Sequence, residues 1–223
     1  MANYKRKKIR TRNPKPKKSS PWWLWALLAG LVIYLIVRPG SETVVPAGET
    51  GCEAAIANYG NDIKVLAQKY DLSKDYLMAL IMLECSGRRD VPPRFEKGVY
   101  NKLKDVQSGK RELEGISKTE IGDANDDALR NLASSWGPFQ LMGYKCLHLN
   151  IQIKDLRGEN SLDHGVEWIN RTYGDYIRKG RYEDAFHIHN TGHAVPKDGK
   201  FKTYDPSYIP RGLEYMEYFK NNL

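Results

Sequence analysis

The chain has 223 residues, 35 of them Lys or Arg and 27 Asp or Glu, for a formal net charge of +8. That length holds one well-cored domain with appendages. The excess charge lies in residues 1–20, which carry nine Lys and Arg and no acid, leaving 26 basic against 27 acidic residues from position 21 onward. A basic body of the kind that binds nucleic acid is thereby excluded, and no nucleic-acid partner is expected.

Residues 1–20 read as a basic cytoplasmic tail. From Ser19 to Val37 run 19 uncharged residues, closed by Arg38. As a helix they cover about 28 Å, close to one hydrocarbon thickness. Trp22, Trp23 and Trp25 gather at the N-terminal end, where amphipathic rings prefer the headgroup level. Residues 21–38 are therefore expected to span a membrane, with the basic side in the cytoplasm and the C-terminal part outside it. A cleaved signal peptide is the alternative. The long basic region, the aromatic start and an exit without a small-x-small site favour a retained anchor. The expected location is a single-pass inner (cytoplasmic) membrane protein with a periplasmic or otherwise extracytoplasmic domain. Residues 39–51 form a polar linker, and 52–223 a single domain of about 170 residues. No solenoid repeat is present.

Within the domain, Ile63, Leu66, Ala67 and Tyr70 mark one amphipathic helix, and residues 73–85 the next. On the second, Leu77, Leu80, Ile81 and Glu84 share one face. The carboxylate thus lies on a stripe of core leucines, and burial there favours its protonated form, as a general acid requires. The plainer alternative is a helix-terminal glutamate that curls back to water. Residues 88–123 are polar and irregular, an expected insertion or lid. A short helix from Asp126 to Ala133 should stop at Ser134-Ser-Trp-Gly137, and another should start at Pro138. Longer helices are expected at Ser161–Arg178, carrying Leu162, Val166, Ile169 and Tyr173, then at Tyr182–His189 and Tyr208–Phe219. Strand signals are sparse, so the fold class is all-α or α-dominated.

Three cysteines leave one unpaired if two bridge. Cys52–Cys146 and Cys85–Cys146 bridges stand beside free buried thiols as alternatives. Cysteine catalysis with His187, His189 or His193 as base is disfavoured, because Cys85 follows a better candidate. A zinc site in His187-Ile-His-Asn-Thr-Gly-His193 is also disfavoured, since i and i+2 on a helix diverge and no acidic or cysteine ligand is adjacent. No metal or cofactor is expected. Asn190-Thr-Gly192 suits a helix-ending turn whose amide and bare backbone lie close to a polar ligand.

Ala79-Leu-Ile-Met-Leu-Glu-Cys-Ser-Gly87 resembles the Ala-Leu-Ile-x-x-Glu-Ser-Gly motif of soluble lytic transglycosylase-type domains. Gly137-Pro-Phe-Gln-Leu-Met142 is similar to that family's Gly-Leu-Met-Gln-Leu-Met. His189-Asn-Thr-Gly192 stands where the family has Tyr-Asn-Ala-Gly, and Tyr208-Ile-Pro-Arg211 resembles its C-terminal Tyr-Val-x-x. Leu162-Asp-His-Gly-Val-Glu-Trp-Ile169 is similar to its Gly-Val-x-Tyr-Leu helix. The motifs keep the family order over residues 60–220. Arg94-Phe-Glu-x-x-Val-Tyr100 and Ala133–Gly143 also resemble a phage and bacterial N-acetylmuramidase family with the same lysozyme-like fold.

The resemblance implies a lysozyme-like domain that cleaves peptidoglycan glycan strands between N-acetylmuramic acid and N-acetylglucosamine. Glu84 matches the catalytic acid. Gln140 and Asn190 match positions that hold the sugar or orient the acid, and Tyr208 a tyrosine that hydrogen-bonds the glutamate. Gly137, Phe139 and Gly192 belong to the same motifs. The departures are Cys85 for serine, Pro138-Phe139 for Leu-Met, which would stiffen the loop and present a ring to substrate, and His189 for tyrosine. A hydrolytic muramidase would need a second carboxylate. Asp90, Glu96, Glu112 and Glu114 of the 88–123 segment are candidates, Glu96 first, with a solvated loop charge as the plainer reading of it. Three functions follow: a membrane-anchored transglycosylase recruited by an envelope-spanning machine, an endolysin-like muramidase, and a non-catalytic glycan-binding scaffold.

Overall fold

The computed structural model describes residues 51–223. The tail, the span expected at 21–38 and nearly all of the linker lie outside the described residues. Among the described residues, no helix is long and apolar enough to cross a membrane. Helix dominates, as the sparse strand signals indicated.

Helix α1, Cys52–Tyr70, buries Ala55, Tyr59, Ile63 and Ala67 at intervals of four and ends where Asp71 turns left-handed, with φ 52°. Helix α2, Lys74–Cys85, starts at Ser73, whose side chain accepts the Tyr76 N–H at 3.2 Å. Every residue from Tyr76 to Met82 is buried, so α2 is apolar nearly all round and forms the centre of a lobe. Around it stand α1 and three later helices: α7 (Ser161–Arg178), α8 (Tyr182–Thr191) and α9 (Tyr208–Asn222). All three start where the sequence places them. Helix α8 runs past His189 to Thr191, and α9 past Phe219 to Asn222.

Residues 88–123 are not the loose insertion expected of them. They contain α3 (Lys97–Gln107) and α4 (Lys118–Ile121), with Leu103, Val106, Ile116 and Ile121 buried. With α5 (Asp126–Leu132) and α6 (Lys145–Leu149) they enclose a second hydrophobic core. Val99, Leu103 and Val106 fall at i, i+4 and i+7, a stripe half hidden among lysines.

Between the helices lies a small antiparallel sheet in the order β1 (Arg94–Phe95), β2 (Ser134–Trp136), β3 (Leu141–Met142). Arg94 pairs with Ser135, and Trp136 with Leu141. The last pair brackets Gly137–Gln140, so these residues close a hairpin and the helix expected at Pro138 is absent. Gly137 has φ 70°, and a Cβ there would stand 3.1 Å from the Leu156 carbonyl oxygen. All three cysteines are free. Cys85 belongs to the first core and Cys146 to the second. Burial pushes both thiols up to about 11.

Candidate active site

Glu84 is the penultimate residue of α2 and lies one turn beyond Leu80 and Ile81, which are fully buried. Its side chain is 16% exposed and does not curl out to water. Tyr208, the first residue of α9, donates its hydroxyl hydrogen to Glu84 Oε1 at 2.5 Å, across 124 positions of sequence. His189 of α8 places Nε2 3.6 Å from the same oxygen. Oε2 takes no protein hydrogen bond among the described residues.

The tautomer of His189 follows from its neighbours. Nε2 lies 3.2 Å from the Phe139 carbonyl oxygen, which can only accept, so Nε2 carries the hydrogen. Nδ1 therefore accepts from the Tyr173 hydroxyl at 2.6 Å. Burial lowers the His189 pKa below the ordinary 6.5, although Glu84 and the Phe139 carbonyl pull it back upward. The ring is neutral at pH 7. Its N–H is given to the hairpin carbonyl, and the same nitrogen packs 3.6 Å from the acid.

Tyr173 occupies the point where α7 breaks from helical geometry, at φ −144° and ψ 17°. Tyr76 is fully buried nearby, and its hydroxyl has no hydrogen-bond partner in good geometry. Burial raises Tyr76, Tyr173 and Tyr208 well above the ordinary phenol value, so each stays a neutral donor. A carboxylate at the end of an apolar helix thus has phenols and one imidazole for neighbours, and its side chain keeps 16% of its surface exposed.

A cavity of about 710 Å³ opens beside this group. Gln140, Asn190, Gly192, His189 and Tyr173 line it, with Glu114 and Trp168 farther along. Glu84 stands one side chain behind this wall, past His189. Gln140 has φ 47°, a left-handed conformation that costs a non-glycine residue about 1–3 kcal/mol and gathers at functional sites. Its Oε1 accepts from Ser135 Oγ at 2.8 Å and its Nε2 donates to the Gly137 carbonyl at 3.1 Å. One amide hydrogen and one lone pair remain. Asn190 is exposed on the last turn of α8, which Gly192 ends at φ 81°.

Three expected roles change. Phe139 does not present its ring to the cavity; it is 1% exposed and packs so closely on α7 that a Cβ at Gly165 would stand 2.4 Å from its Cδ2. Apolar burial decides this, and the residue contributes its carbonyl instead. Gly137 faces a different cavity, of about 620 Å³, shared with Trp136 and Arg157. Glu96 precedes α3 and pairs with Arg94 at 2.7 Å, and it lines neither cavity. Of the carboxylates of the 88–123 segment, Glu114 is the one in the cavity wall.

The clustered histidines have separate duties. His187 Nδ1 donates to the His193 carbonyl at 2.6 Å and Nε2 accepts the Lys202 N–H at 3.0 Å, while both His189 nitrogens serve the acid site. Two of the three rings thus have no nitrogen left for a metal. No family model, curated protein or solved structure matches the chain. Sequence reasoning missed His189 as a partner of the acid and Tyr173 as the partner of His189. The signal was present: a tyrosine on an apolar stripe needs somewhere to place its hydroxyl.

Proposed function

We propose that this chain is a membrane-anchored lytic transglycosylase of lysozyme-like fold that cleaves peptidoglycan glycan strands. The observation that carries the reading is the Tyr208 hydroxyl donated to Glu84 Oε1 at 2.5 Å at the end of an apolar helix, with the neutral His189 ring packed beside it. With Tyr208 donating to Oε1, the transferable proton belongs on Oε2, the oxygen without a protein partner among the described residues. A glycosidic oxygen approaching Oε2 takes that proton as its bond to the muramoyl C1 breaks. Glu84, now a carboxylate, accepts the hydrogen of the muramoyl C6 hydroxyl. The freed O6 then bonds to C1 and closes a 1,6-anhydro ring, with no water consumed. One protein carboxylate suffices because the substrate's acetamido and hydroxyl groups fill the other role.

The surrounding donors suit this double use. Tyr208 holds Oε1 in place through both protonation states and stabilises the carboxylate when it forms. Gln140, with one amide hydrogen and one lone pair left, and the exposed Asn190 amide lie in the cavity wall and are of the kind that hold an acetamido sugar. The anchor expected at residues 21–38 would confine cleavage to glycan near the membrane, where an envelope-spanning machine could recruit it.

The test is digestion of purified peptidoglycan by the full chain in detergent micelles, followed by mass analysis of the fragments. Anhydro-muramoyl ends that vanish in Glu84→Gln are the expected result. Reducing muramoyl ends would replace the transglycosylase with a hydrolase. Intact glycan, or cleavage that persists in Glu84→Gln, would defeat the assignment of Glu84.

A further inference from the structure

The hairpin tip carries Gln140 in a conformation that side chains avoid, and part of what holds it there lies outside the hairpin. Gln140 is left-handed at φ 47°, close to Gly137 at φ 70°. A non-glycine residue keeps such a φ only where its surroundings fix it. The fixing falls on one peptide unit, the one that joins Phe139 to Gln140. Its N–H donates to the Gly137 carbonyl at 3.1 Å, within the hairpin. Its C=O, on the opposite side of a trans unit, accepts from His189 Nε2 of α8 at 3.2 Å. Turning this unit would change ψ of Phe139 and φ of Gln140 together, and it cannot turn without breaking one of the two bonds. Phe139 is 1% exposed, so water does not stand in for the histidine. A buried carbonyl that loses its donor is costly, and rotation of the unit is its relief.

The histidine is held in turn. Tyr173 donates to Nδ1 at 2.6 Å, which leaves Nε2 to carry the ring hydrogen toward the hairpin. Tyr173 is buried where α7 leaves helical geometry, so that break, and not regular helical pitch, sets the place of its hydroxyl. The Phe139 ring packs on Gly165, about two turns earlier in the same helix. Helix α7 therefore grips Phe139 twice, at the ring directly and at the carbonyl through His189.

We propose that Tyr173 and His189 are positioning residues for Gln140: acting through the Phe139 carbonyl, they keep its amide where it can hold the glycan. The assignment rests on the glycan-cleaving reading above. Two observations direct the pair to Gln140 and not to the acid. Nε2 has one hydrogen and gives it to the carbonyl, whereas its 3.6 Å approach to Glu84 Oε1 is longer than a hydrogen bond. The Gln140 side chain is itself tied to Ser135 and to the Gly137 carbonyl, so the turn aims its remaining amide hydrogen and lone pair. A shift of the 139–140 peptide thus moves that amide and leaves the Tyr208–Glu84 bond in place.

Steady-state cleavage of soluble glycan strands by the full chain in detergent micelles separates the two targets. Tyr173→Phe should raise KM about tenfold with kcat retained, the mark of a contact used equally in ground and transition states. His189→Phe should raise KM at least as far, and His189→Gln, which returns an N–H donor, should recover most of that loss. Gln140→Ala should raise KM by a similar factor, and Tyr173→Phe added to it should raise KM no further. Additive effects in that double variant, or a fall in kcat with KM unchanged, would overturn the assignment. Should His189→Phe not fold, Tyr173→Phe and the double variant decide. Hydrogen exchange of the Gln140 amide needs no cleavage and should quicken about tenfold in Tyr173→Phe. Unchanged exchange would break the link between Tyr173 and the hairpin. Failure of the catalytic reading looks different: no glycan is cut, and exchange at Gln140 alone decides whether the link exists.

Discussion

The two hydrophobic cores differ in what stands at their centres. The first gathers Tyr76, Tyr173, Tyr208 and His189 around a carboxylate. The second is filled by Leu103, Val106, Ile121, Leu129 and their like, and its polar groups, Glu114 and Lys145, stay at the rim. A core tolerates polar atoms where they satisfy one another and loses stability where they do not. Chemistry can therefore sit inside the first lobe, whereas the second can contribute only at its rim. One lobe holds the acid and the other supplies part of the cavity wall.

Substitutions should separate these duties. Glu84→Gln should cut glycan cleavage about a thousandfold while leaving the melting temperature nearly unchanged. Leu103→Ala should do the reverse. At a fully buried position it should cost about 2–5 kcal/mol in denaturant unfolding, with turnover per folded molecule preserved. Tyr208→Phe keeps the ring but removes the hydrogen bond that holds Glu84 Oε1, an expected loss of about tenfold to a hundredfold in kcat. If it lowers only stability, Tyr208 is mere packing.

The smallest effect concerns pH. Folded His189 has a pKa below 6.5, so between that lowered value and 6.5 the unfolded chain binds a proton that the folded chain does not. Stability should be flat above 6.5, fall as pH drops through that window, and level off below the folded pKa. His148 is lowered too and adds a slope of the same sign, so His189→Gln should reduce the slope and His189→Gln with His148→Gln should remove it, as urea midpoints across the range would show. A slope unchanged by His189→Gln would place the titrating group elsewhere.

Much of the first lobe was legible in the sequence because its signals are local. Ser73 caps α2, a run of apolar residues follows, and Glu84 falls in step with Leu77, Leu80 and Ile81. The stripe Leu162, Val166, Ile169, Tyr173 gave both ends of α7. The second lobe was obscured because its helices are short and its apolar residues are spaced among lysines, as in Lys97–Gln107. Contacts distant in sequence were the least visible. Nothing near Phe139 says that its ring lies on Gly165, and nothing near His189 says that Tyr173 holds it. Glu96 and Glu114 look alike as letters; only the turn at Leu113–Ile116 brings one of them to the cavity.

The three free thiols have a consequence for how the domain is made and how long it lasts. With no crosslink to form, folding needs no oxidant, and the same domain can form in a reducing or an oxidising compartment. Reductant should leave its melting temperature unchanged. Cys85 stands next to the acid yet is a protonated thiol behind packed side chains, so mild alkylating reagents should pass it by. Persistence then depends on side-chain packing alone, and in a protease-rich setting it is set by how often that packing opens.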